Sequence, residues 1–122
     1  MTRTEELDKV LSGLLASSGY IEACAVVSED GLIIASSLSQ GLEEINISAV
    51  SATVLSIGSR VAAEMKRGDL QQLFVKGEEG YVIITHAGPN AALMIIVRKE
   101  AKLGLIFFEL SRATEEVEEI ML

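Results

Sequence analysis

Residues 43–66 read EEINISAVSATVLSIGSRVAAEMK, and how this stretch buries its side chains decides what the chain can build. Ile47, Val50, Val54, Ile57 and Val61 recur at alternating spacings of three and four, a bulky apolar stripe along a helix. Ile45, Ala49, Ala52, Ser56, Ser59 and Ala63 recur in the same way and form a second stripe of mostly small residues. Starting points two residues apart lie roughly 200° apart around a helix, so the stripes occupy opposite sides. No charged residue stands between Ile45 and Ser59. An ordinary surface helix buries one face and covers the other with Lys and Glu. The bulky stripe is therefore expected to cover a sheet of its own chain and the small stripe to admit a second backbone, with the two roles open to exchange. The segment predicts an interaction module rather than a catalyst.

The flanking sequence supplies the rest of a layered domain. Thr4 to about Ser17 carries Leu7, Val10, Leu11, Leu14 and Leu15 on one helical face, with Thr4 as the expected cap and Ser18-Gly19 as the stop. Ala25–Ser37 reads AVVSEDGLIIASS. Its two β-rich runs flank Glu29-Asp30-Gly31, a tight hairpin turn in which glycine supplies the positive φ. Ser39-Gln40-Gly41-Leu42 is expected to be a loop. The central helix should stop at Lys66-Arg67-Gly68, with cations at its negative end. Gly58 interrupts it at a cost of about 1 kcal/mol relative to Ala; close approach of another helix would explain that residue, as would simple tolerance. Strands are expected at Leu73–Lys76, Tyr81–Thr85 and Ala92–Val97. The last is apolar throughout, as a central strand covered on both faces should be. A final helix repeats Leu103, Ile106, Leu110, Ala113, Val117 and Ile120. The expected fold is one α+β domain over 1–122, an α-β-β-α-β-β-β-α sandwich around a five-stranded antiparallel sheet.

Composition narrows the function. At 122 residues the chain suits one domain and can bury roughly two-thirds of its unfolded surface without a disulfide or metal staple. Its net charge of −8 argues against nucleic acid, whose recognition rests on a basic footprint, and disfavours an anionic membrane surface. Glu115, Glu116, Glu118 and Glu119 read as a solvated helix face. Cys24 stands alone within an apolar run and is expected to be a small core residue. The start MTRTEELDKV lacks a secretory hydrophobic stretch, and no run approaches the roughly 20 apolar residues of a membrane span. A cytoplasmic location is expected.

Three stretches together, VVSEDGLIIAS (26–36), AAEMKRGDLQQLFVKGEEGYVIITHAG (62–88) and AALMIIV (91–97), give the chain a resemblance to the roadblock/dynein-light-chain family over nearly its whole length. The resemblance implies dimerisation, with itself or with a paralogous roadblock chain. In the family the helix matching 43–66 pairs with its copy. The strand matching Gln71–Lys76 pairs edge to edge, placing Gln71, Leu73 and Val75 at the join and making one continuous sheet. It also implies a Ras-like small GTPase as partner, as with prokaryotic GTPase regulators. The alternatives are a structural adaptor without GTPase-regulating activity and, third, a small-ligand sensor, which the Val, Ile, Leu and Ala of the strands disfavour.

No motif for catalysis emerges, and no cofactor is implied. GEEG and GPN lie between strands and lack the Lys and following helix of a phosphate loop. His86, the sole histidine, has no companion ligands for a metal and no motif making it a base; a structural or surface role is expected. Arg60 could serve as an arginine finger for a GTPase partner. Its simpler role is a surface pair with Glu64 at i+4.

Overall fold

The structure is a computed structural model describing residues 1–39 and 41–122. Its elements follow the expected order: α1 (Arg3–Ser17), β1 (Ile21–Ser28), β2 (Ile33–Ser37), α2 (Glu44–Glu64), β3 (Gln72–Gly77), β4 (Gly80–His86), β5 (Ala91–Arg98) and α3 (Leu103–Met121). The five strands form one antiparallel sheet in the order β2-β1-β5-β4-β3. β5, apolar from Ala91 to Val97, is indeed central, hydrogen-bonded on both sides, and β2 and β3 are the two edges.

Alternation along the strands divides the core into two layers. Val26, Ile83, Leu93, Ile95 and Val97 point to one face and pack with Leu7, Leu11 and Leu14 of α1 and Ile106, Leu110 and Val117 of α3. Ala25, Val27, Ile84, Ala92 and Met94 point to the other face and receive Ile47 and Leu55 of α2. Cys24 lies in the first layer, 2% exposed, with its thiol 3.5 Å from the Leu11 carbonyl. Burial pushes that thiol's pKa up to about 11.

Several boundaries differ from the sequence expectation for local reasons. β1 begins at Ile21 rather than Ala25, with Glu22 on its half-buried side pairing to Arg98 at 3.4 Å. Thr2, not Thr4, caps α1: its hydroxyl accepts from Glu5 N–H at 3.2 Å, and Thr4 is already helical. α2 ends two residues before the expected Lys66. Lys66 itself adopts φ 58°, Lys66 N–H donates to Ala63 O at 3.1 Å and Arg67 N–H to Ala62 O at 2.7 Å. This 5→2 and 6→1 pair is a Schellman closure normally built on glycine; Gly68, the expected stop, comes two residues too late to make it. Gln40, within the expected loop 39–42, lies outside the described residues.

The β1–β2 hairpin carries an irregularity: Val26 faces Ala35 but Val27 faces Ile33, leaving Ile34 as an extra residue on β2. Its turn has Gly31 at φ 83° and rests directly on α2. A Cβ on Gly31 would lie 2.6 Å from both the Ala52 nitrogen and its Cβ. Ser48 Oγ donates to Gly31 O at 2.7 Å, fastening the turn to the helix.

Candidate dimer and partner interface

α2 meets the sheet through a line that takes only Ile47 from the bulky stripe and otherwise falls between the two stripes. Ile47, Ser51, Leu55 and Gly58 are its buried positions. Ser51 is fully buried with its hydroxyl 3.8 Å from Met94 Sδ. At Gly58 an added Cβ would stand 2.8 Å from Leu73 Cδ1 and 3.1 Å from Leu70 Cδ2. Gly58 is thus explained by close approach, but to β3 and its preceding loop in the same chain rather than to another helix. Ser51 and Gly58 alternate with Ile47 and Leu55 on the buried line and let the helix come close to the sheet, while Val50, Ile57 and Val61 lie to one side.

This corrects the assignment of the bulky stripe to the sheet. Ile47 is buried and Val54 packs at the margin of the core, but Val50, Ile57 and Val61 are more than half exposed. Met65 beyond the helix end is also exposed. Gly58, the buried position that meets Leu73 of β3, has Ile57 and Val61 as its exposed apolar neighbours along the helix. That strand bonds only to β4, leaving its other edge open. Leu73 turns in to α2. Val75, two residues on and on the same face, is 47% exposed and, with Val82 and Ile96, lines an open depression of about 560 Å³. Phe74 points to the opposite face, 5.4 Å from Tyr81 and 6.1 Å from Phe107 between ring centres.

The small stripe divides. Ile45, Ala49, Ser56, Ser59 and Ala63 are exposed, whereas Ala52 is half-buried beneath the Gly31 turn. Ala52, Ser56 and Ser59 form one wall of a cleft of about 430 Å³ whose other side is Glu29, Asp30, His86 and Ala91. Gln71 is exposed just before β3, where its carbonyl accepts from His86 N–H at 2.9 Å.

Residues 7–97, most of the chain, match the Roadblock/LC7 domain. The chain belongs to the Roadblock/LC7 family. Among its relatives is an uncharacterised protein of Methanocaldococcus jannaschii, 32% identical over 91% of this chain and 96% of the relative. Its fold is shared with MglB of Myxococcus xanthus, at TM-score 0.88 and 18% identity over 95% of this chain and 94% of that one. The gliding protein MglB of Thermus thermophilus superposes at TM-score 0.84, also with 18% identity, over 98% and 91% of the two chains.

Within this Roadblock/LC7 chain the remaining sequence candidates have plain surroundings. Arg60 points away from the sheet and its Nε stands 3.3 Å from Glu64 Oε1, the i+4 pair expected, with both side chains largely in solvent. His86 is half-buried at the end of β4, and its ring has no hydrogen bond to a serine among the described residues. No group of three or more His, Cys, Asp or Glu among the described residues converges as a metal site would require. Against the expectation that no segment suits a bilayer, α2 is long and apolar enough, by length and composition, to cross one. Its packing through Ile47, Ser51, Leu55 and Gly58 gives those residues the sheet as neighbour instead.

Sequence reading missed that α2 has three faces. The signal was available in Ser51, Leu55 and Gly58, which follow Ile47 at spacings of four, four and three. A search for apolar residues alone passes over two of them.

Proposed function

We propose that this Roadblock/LC7 chain is a non-enzymatic homodimer that binds a Ras-like small GTPase in the cytoplasm and modulates its nucleotide cycle. The observation that carries this reading is the exposed apolar side of α2, a helix whose Gly58 packs on Leu73 of β3, the strand with an open edge. A twofold interface must be complementary to itself. Here Val50, Ile57 and Val61 of one copy cover the same residues of the other while the β3 edges join, giving a sheet continuous across two chains. This reassigns the partner-facing role from the small stripe to the exposed part of the bulky one, with Ile45 and Ala49 at the rim. It keeps Leu73 and Val75 at the join and Gln71 at its margin.

The likeness to MglB supports the family of partners considered, and the acidic, motif-poor surface supports a contact function over a chemical one. Arg60 is held only by an exposed i+4 pair, worth about 0.3–0.5 kcal/mol, so it is not preorganised as a catalytic donor. Any stimulation of hydrolysis then works by repositioning the GTPase's own residues. The test is capture of the organism's Ras-like GTPase, loaded with GTP analogue or GDP, on immobilised full-length protein. Preferential capture of the GTP form, with Arg60→Ala retaining whatever stimulation is seen, is the expected result. Equal capture of both forms favours the adaptor reading, and failure to capture either ends the proposal.

A further inference from the structure

The face of the sheet away from α2 carries a second, independent surface. α1 and α3 lie antiparallel there, with Met1 and Glu6 beside Ile120 at one end and Ser17 beside Glu109 at the other. Between them run two connected depressions, of about 200 and 510 Å³, which share Lys9, Val10 and Glu116. The floor is apolar, formed by Val10, Leu14, Ala113 and Ile120. From Glu109 to Ile120 the groove spans three helical turns, about 16 Å.

Two observations say what belongs in it. The first is Gly13, which lines the groove in the interior of α1. Glycine is unfavourable there relative to alanine, and nothing within 4 Å of an added Cβ calls for it. Unlike Gly31 and Gly58, it has no neighbour in its own chain that needs the space. It leaves room for something from outside. The second is charge. α1 and α3 together carry eight carboxylates against three cations, and Glu6, Glu109, Glu116 and Glu119 edge the groove. Two cations also line it, Lys9 and Arg112, the latter engaged by Glu109 at 3.7 Å, so the lining carries four carboxylates against two cations. A second copy of this face would oppose like charge and is the wrong occupant.

The geometry points to an interaction surface for a basic amphipathic helix of a partner protein, about three turns long. Its small apolar residues would pass over Gly13 and its Lys or Arg side chains meet Glu116 and Glu119. Helix-in-groove recognition uses this combination of apolar anchors and flanking charge. The site is on the opposite face of the sheet from α2, so it is open whether or not α2 is paired.

The probe is a fluorescein-labelled fourteen-residue helical peptide with Leu and Ala on one stripe and Lys and Arg on the flanks, titrated into the full-length protein by anisotropy. Saturable binding is expected, with at least a tenfold loss on Gly13→Leu, whose side chain enters open space and leaves the melting temperature unlowered. A peptide with Glu replacing every Lys and Arg should not bind. Should Gly13→Leu fail to fold, the surface variant Glu116→Lys gives the same readout, again with a tenfold loss. Binding unchanged by these variants, equal binding of the acidic peptide, or no binding of the basic one overturns the inference.

Discussion

Replacing Ile57 by Glu tests the interface at its centre. Val50, Ile57, Val61, Met65 and Val75 each keep about half of their side chain in water in the single chain. Full burial of such a side chain is worth about 1.5–3 kcal/mol, so covering the remaining half contributes about 1 kcal/mol each. Five residues in each of two copies then supply about 10 kcal/mol, against an association cost of about 4–15 kcal/mol. The margin is narrow, and a single charge overwhelms it. Ile57→Glu forfeits about 1 kcal/mol per copy and strands a carboxylate against an apolar surface, at least another 1 kcal/mol per copy. The twofold doubles the loss to about 4 kcal/mol, a rise in dissociation constant of roughly a thousandfold. Folding is spared, because Ile57 is 60% exposed and is not one of the buried residues of either core layer. Sedimentation velocity over a hundredfold concentration range reads the outcome, with Ser56→Glu on the small stripe as the comparison. Ile57→Glu should sediment as a monomer with an unchanged circular dichroism spectrum, and Ser56→Glu as a dimer. The reverse pattern, or a dimer surviving Ile57→Glu, refutes the assignment.

Other perturbations address the fold. Gly31→Ala should lower stability by about 3 kcal/mol in urea titration. The left-handed turn position costs about 1–2 kcal/mol, and lifting the turn from Ala52 also breaks the Ser48 hydrogen bond, worth about 1 kcal/mol; a loss below 1 kcal/mol contradicts the described contact. Lys66→Gly should instead stabilise by about 0.5–1 kcal/mol, since glycine relieves the positive φ at the Schellman closure while losing chain entropy. A destabilised variant would mean that Lys66 contributes through its side chain. Cys24 is a buried neutral thiol whose folded pKa is above its ordinary value, so its contribution is intact below about pH 9. It is lost as pH rises toward about 11, at a slope of about 1.4 kcal/mol per pH unit at most. Cys24→Ala should flatten that alkaline decline, and iodoacetamide should label the native protein far more slowly than the unfolded chain.

Element order, the antiparallel sheet and the central place of β5 were legible because each rests on periodicity. Leu7, Leu11 and Leu14 on one helical face and the unbroken ALMIIV run have few other solutions. The edge position of β3 was legible from its mixed polarity and from family resemblance. The orientation of α2 was not, because side-chain size decided it. The buried line runs through Ser51 and Gly58, which hydrophobicity leaves out, and contact with Leu73 and Met94 requires knowing where the strands lie. The α1 cap was misplaced by two residues because Thr2 and Thr4 are equivalent in type, and only Glu5 N–H distinguishes them. The closing Lys66 gave no compositional sign at all.

A join at β3 leaves β2 at both outer ends of the shared sheet, which raises the question of why such an array stops growing. Ile33–Ser37 carries no charge to repel a newcomer. Its protection is geometric: five residues offer few bonding groups, and the surplus Ile34 breaks their regular spacing. In the proposed pair the irregular hairpin would act as a terminator, confining growth to two copies and sparing the cell a fibre.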